Sequence, residues 1–174
     1  MSRPNVTPTD REVFFGSDEV IVSKTDLKGI ITYANDVFLT IAGYTEDEVL
    51  GQPHNLIRHP DMPRCVFWLL WNEVQAGREI FAYVKNMTKA GDYYWVLAHV
   101  TPSRDAGGKI IGYHSNRRTP ERKAVATIDR LYKDLLAVER REQSPKDGLA
   151  AGIAALNRQL EQAGIGYDEF VFSL

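Results

Sequence analysis

An α+β fold, with a five-stranded antiparallel sheet, short helices on one face and a C-terminal helical extension, is predicted by three observations. Two short β-branched runs precede residue 35, and three alternating apolar runs lie between residues 80 and 115. Short stretches with helical spacing separate the two groups. Beyond residue 120 the apolar residues again repeat every three or four positions, over two longer stretches.

Residues 1–17 read as a polar arm or cap carrying Pro4 and Pro8, with Val13-Phe14-Phe15 as its first anchor. Asp18 to Ser23 and Ile30 to Tyr33 are strand-like runs about the turn Thr25-Asp26-Leu27-Lys28-Gly29, which makes a hairpin. Asn35 or Asp36 can cap a short helix through Val37, Phe38, Ile41 and Ala42 that ends at Gly43. Thr45-Glu46-Asp47-Glu48 is a capping-box pattern opening a second short helix that stops at Gly51. Arg64 to Ala76 has helical spacing and ends at Gly77. Three strands then follow through Ile80–Val84, Tyr94–Val100 and Ile110–Ser115, separated by glycine-containing turns, and form an antiparallel meander. Tyr94 and Trp95 alternate faces, so one lines the inner surface and the other meets a cap or partner. Glu121 to Glu142 and Leu149 to Leu160 are helices with narrow apolar seams, broken at Ser144-Pro145-Lys146-Asp147-Gly148. They suit an antiparallel hairpin, a dimerising pair, or packing on their own domain. The charged Glu139–Glu142 block reads as a solvated helix end, and the aromatic tail Tyr167–Leu174 as a docked one.

The 174 residues are 44% apolar and 25% charged, with a net charge of -2, which is ordinary for a globular chain. Interspersed signs leave no electrostatic footprint for nucleic acid or an anionic membrane, so neither is expected as a partner. Cys65 is the single cysteine and excludes an internal disulfide or a thiolate zinc site. There is no apolar signal segment and no run of about 18 apolar residues, so a soluble, cytoplasmic protein is expected.

The chemistry concentrates in Leu50 to Trp71, LGQPHNLIRHPDMPRCVFWLLW. Arg58-His59-Pro60-Asp61-Met62-Pro63 holds donors, an acceptor and two fixed φ angles in six residues. Phe67, Trp68 and Trp71 add flat apolar surface, so a planar ligand with one polar edge suits the stretch. Arg58 is a candidate for an anionic ligand group or for an ion pair with Asp61 or Glu48. His59 can donate to a ligand, ligate iron, or satisfy a backbone carbonyl. Asp61 is placed to cap the following helix, and Asn35 either caps or reads a ligand edge. Trp71 is assigned to the pocket and Trp68 to core or an interface. His54, His99 and His114 have weaker claims, none having convergent partners in sequence.

With the words GIITYANDVFLTIAGYTEDEVLGQ, HNLIRHPDMP, VKN and AGDYYWVLAHVTPSRDAGGKIIGYHSNRR, the sequence resembles a PAS sensor domain of the aerotaxis-receptor type. The resemblance spans about residues 18–120 and leaves 121–174 as a helical extension. It implies a PAS fold, non-covalent FAD, and a redox or oxygen signal passed to a chemotaxis or two-component protein. It also implies that Asn35, Arg58, His59, Asp61, Trp71 and Asn86 fall where such domains bind flavin. A homodimer is expected, with output through the C-terminal helices or a separate protein.

Two other readings remain open at this point. One is a haem b gas sensor, in which one of the four histidines is the axial ligand. The other is a cofactor-free dimerisation or adaptor module whose cavity is filled by its own side chains, Tyr83 included. An enzyme is not expected, since no nicotinamide fingerprint and no nucleophile-base-orienter set is present.

Overall fold

In the computed structural model, residues 6–174 are described; Pro4 and the other four leading residues of the predicted arm lie outside them. Strands β1 (Ile21–Thr25) and β2 (Ile31–Ala34) form the first hairpin. Its turn is held by Asp26, whose Oδ1 accepts from the amides of Lys28 at 2.8 Å and Ile30 at 2.9 Å. Helix α1 (Asp36–Ala42) begins at Asn35, whose Oδ1 accepts from Phe38 N, and ends on Gly43 in the left-handed region. Helix α2 (Glu46–Val49) has the predicted capping box of Thr45 and Glu48. A 3-10 segment, His54–Ile57, then leads to α3 (Arg64–Gln75).

Strands β3 (Ile80–Met87), β4 (Tyr93–Arg104) and β5 (Ile110–Arg118) make the antiparallel meander. Strand β1 pairs with β5, giving one five-stranded antiparallel sheet in the order β2-β1-β5-β4-β3. The two-residue side-chain period divides the sheet cleanly. Ser23, Thr25, Val84, Asn86, Ala98, Val100, Tyr113, Ser115 and Arg117 line the cavity side, facing α3.

The opposite side carries Tyr83 and Trp95 and is covered by α4 (Arg122–Arg141). Ala124, Ile128, Leu131, Tyr132 and Leu135 of α4 are buried, so the narrow seam is spent on the chain's own sheet and on the next helix. Helix α5 (Pro145–Ala163) folds back on α4 and also touches α3. Glu139 corrects the reading of its block as a solvated end: its side chain turns inward and is buried. The tail forms α6 (Tyr167–Phe172) against β3, with Val171 buried and Phe172 edge-on to Phe81. At the other end the arm runs beside β4, where Val13 N donates to Tyr93 O at 2.7 Å and Arg122 of α4 grips Glu12. Among the described residues no helix is long and apolar enough to cross a membrane.

The Tyr132 hydroxyl donates to the Tyr83 carbonyl at 2.6 Å, a buried tie between α4 and β3. Tyr132→Phe removes that bond and the contact of the hydroxyl with buried Tyr167. It is expected to lower stability by about 1 kcal/mol, read as a reduced midpoint in urea with an unchanged slope.

Candidate ligand-binding site

Between α3 and the inner face of the sheet lies a cavity of about 400 Å³, within the size range of small-molecule sites. Helix α3 supplies one wall with Phe67, Trp68, Leu70, Trp71 and Val74. The helix can do this because Pro63 starts it at a fixed angle and residues 67, 70, 71 and 74 share one face. Val84, Ala98, Val100 and Tyr113 form the apolar floor. Trp71 stands edge-on to Tyr113, with ring centroids 5.4 Å apart. Gly29, at φ +78, lets the hairpin turn reach Trp71; a Cβ there would meet the indole at 3.0 and 3.1 Å.

One end of the cavity is polar. Arg117, 2% exposed, donates through Nε to Ser115 Oγ at 3.0 Å and through Nη2 to Ser23 Oγ and to His54 Nε2, the latter at 2.8 Å. Its guanidinium lies over Phe38, 5.5 Å from the ring centroid. No carboxylate pairs with Arg117 among the described residues, and its Nη1 has no hydrogen-bond partner there. Burial lowers its pKa to about 10, which still leaves it charged at neutral pH. Burial, and then the charge of Arg117, lower the pKa of His54 to about 3. The imidazole is therefore neutral, and since Nε2 accepts from Arg117 its proton sits on Nδ1. Thr25 Oγ1 is buried and unpartnered among the described residues. Asn86 Nδ2 interacts with the Tyr94 hydroxyl without meeting hydrogen-bond geometry, so the cavity wall holds underused donors.

Of the six residues singled out in the sequence, Arg58, Trp71 and Asn86 line this cavity and Asn35, His59 and Asp61 do not. Arg58 donates from Nη2 to Met62 O at 3.0 Å and lies over the Phe67 ring at 4.2 Å; Glu48 pairs instead with Lys89. Asn35 is committed to backbone: Oδ1 accepts from Val22 N and Phe38 N, and Nδ2 donates to Val20 O. His59 is buried behind the wall, where Nδ1 accepts from Asp61 N at 3.1 Å and the ring meets Tyr93 edge-on. Asp61 faces Lys85 at 3.5 Å and Arg140 at 3.6 Å, away from the cavity. Trp68, read as core or interface, lines the cavity while 41% exposed. Tyr83 lies on the other face of the sheet, which removes the self-filled cavity built on that residue. Ser23, Ser115 and Arg117, which the sequence does not single out, also line the cavity. Arg117 shares strand parity with Tyr113, and that alternation was the available signal.

The buried neutral His54 gives a pH dependence. Its folded pKa lies below the unfolded value of about 6.5, so the unfolded chain binds the extra proton first. The stability it contributes is complete above about pH 6.5 and is lost progressively toward pH 3, at no more than about 1.4 kcal/mol per pH unit. His114, lowered mainly by burial, adds in the same direction. Denaturation from pH 7.5 to 4.5 is expected to show a steeper loss in the parent chain than in His54→Asn.

The comparisons with known proteins agree with this architecture. A family model described as PAS fold matches residues 31–117. The chain is 42% identical over 136 residues to the aerotaxis receptor of Escherichia coli (strain K12), covering 78% of this chain and 26% of that protein. It is 32% identical over 87 residues to biofilm dispersion protein BdlA of Pseudomonas aeruginosa, covering 49% and 21% respectively. The chain thus spans about a quarter or less of these relatives. The light-state structure of the blue-light photoreceptor Aureochrome1 LOV superposes with a TM-score of 0.56 at 24% identity, covering 70% of this chain and 91% of that one, which speaks to the fold. Sheet order, helix placement and sequence agree: the chain belongs to the PAS family and is related to the aerotaxis receptor.

Proposed function

We propose that this chain is a PAS sensor that binds FAD non-covalently and reports redox or oxygen state. The sensor unit spans residues 18–120, with 1–17 as its cap and 121–174 as its output helices. The observation that carries the reading is the cavity itself: flat aromatic walls on α3, and at one end a buried guanidinium with no counter-charge among the described residues. An isoalloxazine fits such a place, being planar and apolar on its faces and rich in acceptors along one edge. The relationship to an aerotaxis receptor supports a sensory role.

In this reading Arg58, Trp71 and Asn86 contact the flavin directly. Asn35 acts at a distance by tying β1, β2 and α1 together, while His59 and Asp61 fix the segment ahead of α3. When bound, the flavin supplies reversible electron storage. The chain's own part is to hold the ring, keep water from it and register its charge at Arg117. The signal leaves through α4 and α5 to a chemotaxis or two-component protein, from a cytoplasmic homodimer.

Haem fits less well. His54 is the one histidine among the four on the cavity wall, and its Nε2 is taken by Arg117. Acid denaturation of purified protein followed by chromatography of the supernatant tests the cofactor. FAD in about equimolar yield is the expected result, and FMN, haem or nothing released contradicts it.

A further inference from the structure

Helix α3 starts without a cap of its own. Pro63 occupies the N-cap and has no side-chain acceptor, so the first amides of a twelve-residue helix would lack partners. They are met from far along the chain: Glu139 of α4 accepts from Arg64 N through Oε2 at 2.9 Å and from Cys65 N through Oε1 at 2.8 Å. The carboxylate is buried, and its charge lies at the positive end of α3. Burial and then the charge of Glu139 push up the pKa of the Cys65 thiol, which stays protonated.

Helix α5 is shaped around the same group. A Cβ at Gly148 would lie 2.5 Å from the Glu139 carbonyl oxygen, and one at Gly152 would lie 2.7 Å from Oε1. Two glycines four residues apart share a face, and each costs a helix about 1 kcal/mol relative to alanine. Packing against Glu139 accounts for both. Arg64 Nη1 also donates to Pro145 O, at 3.3 Å, where α5 begins.

We infer that Glu139 is a positioning residue that links the cavity wall to the C-terminal hairpin, so that a shift of α3 is delivered to α5. The inference rests on the cavity being the sensing site. Two charge-assisted bonds make the link short and stiff. At one end stands the helix that carries Trp68 and Trp71; at the other, the face of α5 that carries Gly148 and Gly152. No other described side chain caps the start of α3.

Hydrogen exchange on the full chain tests the link from both sides. Glu139→Ala removes the acceptor, while Gly152→Ala displaces the carboxylate and raises the intrinsic helix preference of α5. Both are expected to speed exchange of the Arg64 and Cys65 amides and of α5 by roughly tenfold or more, the factor for one charge-assisted bond, with central β4 amides unchanged. Glu139→Gln keeps one acceptor and should fall between. Unchanged α5 exchange in Glu139→Ala would overturn the inference, as would slower α5 exchange in Gly152→Ala with Arg64 and Cys65 unaffected. In a second arm, FAD added to stripped parent protein should change α5 exchange, and the change should vanish in Glu139→Ala. Its persistence there contradicts the link. A chain that binds no FAD sinks the proposed function instead, and the first arm still decides the link.

Discussion

Replacing Arg117 with methionine is expected to weaken FAD binding to the stripped protein at least roughly tenfold without lowering the stability of the ligand-free chain. The two halves of that expectation come from one fact. A guanidinium 2% exposed, with three neutral partners and no carboxylate among the described residues, is an uncompensated charge in the interior. Methionine fills comparable volume and removes the desolvation cost, while Ser23 Oγ and His54 Nε2, 3.0 Å apart, keep each other as partners. Arg117→Lys retains the charge but loses the fork, so it should bind FAD with intermediate affinity. Titration by flavin fluorescence quenching, paired with urea denaturation, reads both quantities. Parent-like affinity in the methionine variant would show that the cavity's polar end does not hold the ligand.

Trp71→Ala should have a comparable effect on binding from the apolar side. The indole bridges Gly29 and Tyr113 and forms the flat part of the α3 wall. Its loss removes stacking and buried area together, about 1.5–3 kcal/mol or roughly ten- to hundred-fold in affinity. Because the ring is only half-buried, the ligand-free chain should lose about 2 kcal/mol, less than for a core tryptophan. Trp68→Ala is the control. That ring is 41% exposed and should cost less than about fivefold in binding. Equal losses in the two variants would mean that α3, and not a particular ring, is what the ligand requires.

Local chemistry made most of the scaffold legible. Asn35, Thr45 with Glu48, and Gly43 each carry a cap or stop whose mechanism needs only neighbouring residues, and each is found in place. The alternation of β3 and β4 likewise follows from period alone. The site was half legible, because Arg58, Trp71 and Asn86 lie in conspicuous words. Asn35, His59 and Asp61 lie in the same words, yet their polar atoms are used for backbone or for neighbouring charges. Arg117 is hidden because the apolar alternation that predicts the third meander strand stops at Ser115, two residues short of it. It also lies in an arginine pair that looks like surface: Arg118 is exposed and Arg117 is not. Glu139 was hidden for a different reason. Its partners are two backbone amides 75 and 74 positions away, and no periodicity encodes a contact of that kind.

The visible absorption of freshly lysed, undialysed material bears most directly on the cavity as a flavin site. Bands at about 370 and about 450 nm, present in the parent chain and much reduced in Arg117→Met and Trp71→Ala, are the predicted result. A colourless parent chain, a haem Soret band, or a flavin spectrum of equal strength in all three proteins would contradict it.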